Sequence, residues 1–461
     1  MPIADFPTAL QPIIQAGYLE HEFKTGLQAT LAFRRCADRE TVPVGIGQTM
    51  TSTRPALLPA VTTPINTAAV STGVATTTSA YPNLQTAARL DNGLIPQAKA
   101  VEQYTIGIDK YAATLDLNTK TSRVGLARQF PLNARLLGEQ AARSLDAIAR
   151  NALYATYDTG NTFVRTAAGA STSIPVDDIR GFLLFAVNGV LTAVGGGNPL
   201  AVTIGTGVYS VTAVTPDGSN LSTIATFGGV SGVLTLAAAT SSGDGAQYSP
   251  VVSAVAPSVL RPLARTTTQS LVSTDKLTMS VLLDAVSTLR SNGVQPIDGL
   301  YDCIVGPKSQ RQLFADADFK QLFQGATSEA QAFAQGMLEA AFLGMRFVPS
   351  TEVPRTAHPT LAGVFIERPI VLGMGALVEG DYEGLTSPDD GGIKSDDEVV
   401  EQDGVLMITR PPMDRLNEVI TQSWEWIGGF VAPTDMTTNP SVVGSSTNAA
   451  YKRAVVIEHV S

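Results

Sequence analysis

The stretch "PLNARLLGEQAARSLDAIARNALYA" sets Leu137, Ala141, Leu145, Ile148 and Ala152 at spacings of four and three, the signature of one apolar helix face. It constrains the fold more than any other segment. Residues 132–155 predict a helix, with Pro131 just ahead of it, that would run roughly 36 Å at about 1.5 Å per residue. That is long for a globular helix, so it must lie along a whole flank of whatever it packs against. Its other face carries Arg135, Glu139, Arg143, Asp146 and Arg150. The arginine row reads two ways. It can pair along the helix with Glu139 and Asp146, or it can face a polyanion.

On the N-terminal side, residues 1–40 read as an arm: short apolar pieces broken by Pro2, Pro7 and Pro12, then Arg34, Arg35 and Arg39, with no core of their own. Residues 41–50 alternate as a strand does. The strand-like run 100–118 contains Val101, Tyr104, Ile106, Ile108, Tyr111, Leu115 and Leu117. Between the two lies a Thr/Ala/Pro-rich, nearly uncharged excursion too long for an ordinary loop, so 41–122 is expected to project and to pair with other protein.

On the C-terminal side, residues 158–266 contain no Lys and break into short Val/Ile/Thr runs at Asp-Gly, Gly-Gly and Ser-Gly pairs. This predicts an inserted all-β unit, a small sandwich or barrel. Helical spacing resumes in "STDKLTMSVLLDAVSTLRSNG". "VLMITRPPMDRLNEVITQSWEWIGGFVAP" alternates like sheet with Trp424 and Trp426 on one side, as core or interface anchors, and "KRAVVIEHV" offers a closing strand.

"YDCIVGPKSQRQLFADADFKQLF" reads as a strand that stops at Gly306 and turns into a helix. A phosphate cradle needs several glycine amides ahead of its Lys. Here Pro307 has no amide to offer and is instead a helix start, so Lys308 and Ser309 are scaffold rather than a nucleotide site. "GMGALVEG" is not followed by the helix that a dinucleotide fingerprint requires. His21, His358 and His459 are scattered, and Cys36 and Cys303 are lone thiols, so no metal, cofactor or disulfide framework is expected. Residues 379–403 hold ten acidic residues against Lys394. Asp389, Asp390, Asp396, Asp397 and Glu398 do not fit calcium-loop spacing and read as a solvated acidic loop. No nucleophile with a partnered base emerges, so the chain does not read as an enzyme.

Charge is uneven. Residues 1–155 carry 14 Lys and Arg against 11 Asp and Glu, leaving 17 against 30 for the rest of a chain whose net charge is −10. Charged residues are only 16% of the chain, so much surface is neutral and available to other protein. The N-terminus has no basic region ahead of an apolar core, and no apolar run reaches a membrane span, so a soluble, intracellular product without membrane contact is expected. Starting at Met1, it is expected to be used without removal of an N-terminal segment.

The join "TIGIDKYAATLDLNTKTSRVGLARQFPLNARLLGEQAARSLDAIARNALYA", the strand-Pro-helix "YDCIVGPKSQRQLFADADFKQLF" and the turn "FLGMRFVPSTEVP", in that order, resemble the major capsid protein of tailed double-stranded DNA bacteriophages, the Hong Kong 97 fold. The resemblance implies an α+β chain with an N-arm at 1–40, an E-loop at 41–122 and a spine-helix region at 123–157. The inserted all-β domain then occupies 158–266, peripheral and axial α/β parts 267–350, the axial domain with its acidic loop 351–432, and a tail with a closing strand 433–461. It further implies an icosahedral shell of hexamers and pentamers around non-specifically held double-stranded DNA, assembled in the host cytoplasm with a scaffolding protein, a portal and a decoration protein as partners. On this reading Arg34, Arg35, Arg39, Arg135, Arg143 and Arg150 face the genome. Contacts between subunits fall to Arg54, Tyr104, Lys110, Tyr111, Trp424 and Trp426. The rivals are a secreted surface-array or fibre protein, which should carry a secretion signal and lack the long helix, and a phosphate-binding enzyme using Lys308 and Ser309.

Overall fold

In a computed structural model the chain is described at residues 18–27, 32–43, 47–55, 101–118, 126–187, 190–218, 229–320, 341–342, 344–382, 398–412, 415–416, 418–435 and 443–461. The middle of the neutral excursion and Asp389, Asp390, Asp396 and Asp397 lie outside the described residues.

Two helices make the first contact. Helix α1 spans Tyr18–Leu27 and helix α2 spans Leu126–Tyr157, 32 residues or roughly 48 Å. The long helix begins earlier than its periodicity indicated, and Pro131 sits inside it rather than ahead of it. A proline within the first turns costs a single backbone bond, and here its ring is buried. Phe130, Ala134, Leu137, Ala141 and Leu145 are buried as one stripe, and the stripe continues through Ala149, Leu153, Tyr154 and Tyr157.

Helix α1 adds a helix to residues 1–40, the arm expected to have no core of its own. Its Phe23 and Leu27 are buried against Phe130, Ala134 and Leu137, so it uses the core of α2. The helices touch backbone to backbone. A Cβ on Gly26 would lie 2.4 Å from the carbonyl O of Arg135, and one on Gly138 would lie 2.6 Å from that of Phe23. The strand Ala37–Val42 that follows is likewise absorbed, pairing in parallel with Leu377–Tyr382.

Three six-stranded sheets carry most of the rest of the described residues. In the first, Ala37–Val42, Leu377–Tyr382, Val419–Val431, Val405–Arg410 and Glu398–Gln402 lie in that order, with Asp109–Asn118 also paired to the long strand Val419–Val431. Alternate residues of that strand, Ile420, Trp424 and Trp426, are buried facing α2. In the second, Tyr301–Val305 lies between Ile370–Leu372 and Met345–Pro349, with Ala454–Ile457 beyond. Helix α3, Met279–Ser291, and helix α4, Pro307–Ala315, bury their apolar faces in the same core. Gly306 is the N-cap of α4 and Pro307 its first residue, as the sequence indicated.

The third sheet runs Asn161–Phe163, Pro250–Ser253, Leu200–Ile204, Gly207–Pro216, Gly232–Leu236 and Ser173–Val176. Its two ends meet. Val164 bridges Val176, and the Arg165 N–H donates to the Pro175 carbonyl at 2.9 Å. The sheet is a closed barrel rather than a sandwich, filled by Ile174, Val176, Leu200, Val202, Ile204 and Leu234, and closure removes the unpaired edges that would invite aggregation.

The helix crossing gives a signed expectation. Gly→Ala inside a helix ordinarily stabilises by about 0.5–1 kcal/mol. For Gly138→Ala the methyl meets a carbonyl oxygen, and overpacking of this kind costs about 1–3 kcal/mol. Chemical denaturation should therefore show a loss of stability. A gain would mean that α1 does not cross α2 at this point.

Candidate functional site

Two surfaces and one buried joint result from this packing. The joint closes the C-terminal end of α2. Arg368, fully buried, donates from Nε to Glu458 Oε1 at 2.9 Å and lies 3.2 Å from Asp158 Oδ2, just past the end of the helix. Arg261, at the exit of the barrel, donates from Nε to Glu458 Oε2 at 2.7 Å and from Nη2 to Asn161 Oδ1 at 3.2 Å. Tyr154 of α2 donates to the Arg368 carbonyl at 2.5 Å. Burial drives Asp158 above the ordinary carboxylate range, whereas Glu458, flanked by two guanidiniums, is held below it.

The first surface is a ribbon. Thr49–Pro55 pairs antiparallel with Val101–Gly107, from Thr49 opposite Gly107 to Pro55 opposite Val101. Only alternate residues of the second strand, Glu102, Tyr104 and Ile106, are buried. The root rests on glycines of the first sheet, where a Cβ on Gly429 would lie 1.8 Å from the Gly107 carbonyl O. Tyr104 donates to Glu40, and the Arg54 guanidinium lies 5.9 Å over the Tyr104 ring and donates to the Gly375 carbonyl at 3.2 Å. The ribbon brackets residues 56–100.

The second surface is the outer face of α2. Leu132 and Leu136 are 49% and 47% exposed, and Leu136 is among the residues, with Glu139, Gln140, Arg143, Ser144, Ala147 and Glu352, that line a groove of about 430 Å³.

These positions revise the residue expectations. Arg34 does not face outward: it is buried, holding Glu379 through Nε at 3.0 Å and Nη2 at 2.6 Å. Arg150 meets Glu352 at 2.6 Å, Arg135 meets Glu139 at 3.2 Å, and Arg39 meets Asp403 at 3.4 Å. Arg35 and Arg143 are exposed. Asp146, which helical spacing offered to the arginines, instead accepts the backbone N–H groups of Phe33 and Arg34 at 2.8 and 3.1 Å. The arginine row is therefore largely an ion-paired face.

The residues expected to bridge subunits are likewise committed within the chain. Trp424 and Trp426 are core; Trp424 Nε1 donates to Gln140 at 3.2 Å, and Trp426 stacks on Phe430 with centroids 5.5 Å apart. Tyr111 lies 5.7 Å from the Trp426 ring, and Lys110 meets Glu425 at 2.5 Å. Tyr104 and Arg54 fix the ribbon root. Of the acidic set, Glu398 is described: it opens an edge strand, and burial raises its pKa to about 7.

One pair escaped sequence reading because 150 residues separate its members. Ser309 Oγ lies 2.8 Å from His459 Nε2, and His459 Nδ1 lies 3.2 Å from the Val460 carbonyl. The carbonyl fixes the proton on Nδ1, leaving Nε2 to accept from Ser309. Both side chains are fully buried, and the group orienting the imidazole is a peptide rather than a carboxylate. This is a structural pair. Among the described residues no group of three or more His, Cys, Asp or Glu side chains is placed to hold a metal ion, and no helix is long and apolar enough to cross a membrane.

No family model matches the chain, and no curated protein does. Solved phage capsids do. The chain is similar to the capsid of Ralstonia phage GP4 at 12% identity and a TM-score of 0.48, over 92% of this chain and 87% of that one. It is similar to the asymmetric unit of the mature capsid of bacteriophage PhiM1 at 9% identity and a TM-score of 0.42, over 94% and 87%. For the capsid of cyanophage Pam1 the values are 10%, 0.43, 90% and 85%.

Burial lowers the pKa of His459 to about 4, so the folded protein keeps this ring neutral where the unfolded chain protonates it. Stability from this group is complete above about pH 6.5 and is lost as pH falls toward 4, about 3 kcal/mol in all. His358, also lowered by burial, acts with the same sign. Denaturation midpoints between pH 7 and 4.5 should fall less steeply for His459→Gln than for the parent. Parallel slopes would show that the ring is already protonated in the fold.

Proposed function

We propose that the chain is a major capsid protein, a shell subunit that assembles with copies of itself into hexamers and pentamers around double-stranded DNA. The observation that carries this reading is the two-stranded ribbon Thr49–Pro55/Val101–Gly107: anchored on one face at its root, it brackets a long, nearly uncharged segment ahead of the 32-residue helix α2. A neutral segment of that length has backbone groups to satisfy, and in a multi-copy shell a neighbouring copy supplies the partners. The exposed Leu132 and Leu136 of α2 supply a second surface that its own chain leaves uncovered.

On this reading the protein works by geometry rather than by chemistry. We read the barrel at 158–266 as an insertion after the spine helix, residues 267–350 as peripheral and axial parts, and 351–432 as the axial domain. With net charge −10 and most of the candidate arginines already ion-paired, DNA is held by enclosure and by weak, salt-sensitive contact, which suits a genome that has to leave. A scaffolding protein, a portal and a decoration protein are the partners such a shell takes, and the virion is its place.

Deleting residues 55–97 tests the assignment. The shortened chain should remain soluble with an unchanged melting temperature and sediment as free subunits, under conditions where the full chain sediments as particles. Particles of normal size from the deletion variant would remove the ribbon from assembly and leave this reading without its support.

A further inference from the structure

Beneath the long helix the first sheet carries one row of polar side chains where the next row is apolar. Gln422 of the long strand stands opposite Thr409, and Thr409 opposite Glu398 of the edge strand Glu398–Gln402. Residues directly opposed in antiparallel strands project from the same face with Cβ atoms about 5 Å apart, so the three side chains form a line across three strands. The face is the one packed on α2, because Ile420 and Trp424 flank Gln422 on it and both belong to the core under that helix. One row along, the same three strands place Val400, Met407 and Trp424 in line, all of them buried and apolar.

Thr409 and Gln422 are fully buried, yet Thr409 Oγ1 and both amide atoms of Gln422 form no hydrogen bond within the protein. Neither does the buried Oε2 of Glu398, a residue half-buried at the row's outer end. Buried polar atoms are nearly always paired, so four in one row are a standing penalty on the closed arrangement. The penalty falls on the strand least able to resist it: among the described residues Glu398–Gln402 is an edge, paired only with Val405–Arg410. The carboxyl of Glu398 is faced by Thr409 across the strand pair and by Val400 two residues along, whereas Glu401 and Arg410 project from the opposite face. Among the described residues no charged side chain acts on it, and burial alone raises its pKa to about 7. A neutral acid can sit against an apolar core; an unpaired carboxylate there is far more costly.

We propose that Glu398 is a proton-operated catch: in its neutral form it keeps the edge strand Glu398–Gln402 on the sheet, and in its ionised form it lets that strand open away from Thr409 and Gln422. The device belongs to the single subunit and does not depend on the shell reading. Opening returns the carboxyl to water and to its ordinary value of 4.5. Between that value and about 7 the open form is ionised while the seated form is neutral. Opening therefore gains about tenfold per pH unit across this window and levels off above it, roughly 300-fold in all. Acid seats the strand. His459 and His358 carry the opposite sign, so a global melting curve mixes the two effects and the readout has to be local.

Hydrogen–deuterium exchange of the full chain between pH 5 and 8, corrected for the intrinsic rate at each pH, reads the strand directly. Protection of the backbone-bonded amides of Glu398–Gln402 should fall about tenfold per unit up to pH 7 and then level off, while protection of the fully buried strand Tyr301–Val305 does not fall. Glu398→Gln, neutral and of nearly the same shape, should keep the pH 5 protection throughout. Glu401→Gln, on the exposed face of the same strand, should behave as the parent does. A parent strand whose protection does not change with pH would overturn the proposal. So would an equal fall in Glu398→Gln, or a profile flattened by Glu401→Gln, which would trace the effect to general charge repulsion at the edge.

Discussion

Four buried charges where the long helix ends hold this molecule's parts in one arrangement. Asp158 comes from the end of α2, Arg261 from the barrel's exit, Arg368 from the loop before a central strand, and Glu458 from the chain's last strands. Burial of charge is costly unless every group is matched, and removing one member of such a set costs about 3–5 kcal/mol. The network therefore ties barrel, spine and core sheet together through mutual need. It also braces the segment that follows the barrel, since Arg261 holds the Thr266 carbonyl at 3.0 Å as well as Glu458.

The apolar packing works to the same end. α2 lies across two cores: its first half is buried with Trp424 and Trp426 on the long strand Val419–Val431, and its second half with Ile304, Ile370 and Val456 of the helix-covered sheet. A helix of ordinary length could not have reached both. Its remaining face is left to solvent, and there the exposed leucines and the groove occur.

Local signals survived the passage from sequence to structure, and long-range ones did not. Gly306 and Pro307 stop a strand and start a helix through backbone conformation alone, so that joint was legible residue by residue. The stripe along α2 was legible for the same reason, apart from its first turns. The fate of the arginines was not. Arg34 is separated from Glu379 by 345 residues, and no spacing rule reports such a partner. Helix α1 was missed because Phe23 and Leu27 bury their faces against Phe130 and Leu137, more than a hundred residues on, and the glycines that allow the approach look like helix breakers when read alone. Trp424 and Trp426, read as core or interface anchors, are core, and the sequence left the choice open because an apolar ring carries no mark of which chain will bury it.

Docked arm, clamped ribbon, spine helix and closed barrel make sense together if copies of this chain close on one another. Electron microscopy of the purified full-length chain, alone and with a scaffolding protein, tests that most directly. Closed shells of uniform diameter with six- and five-fold capsomers are the predicted result. Subunits that stay dispersed in both conditions, or that grow into open fibres, would contradict it.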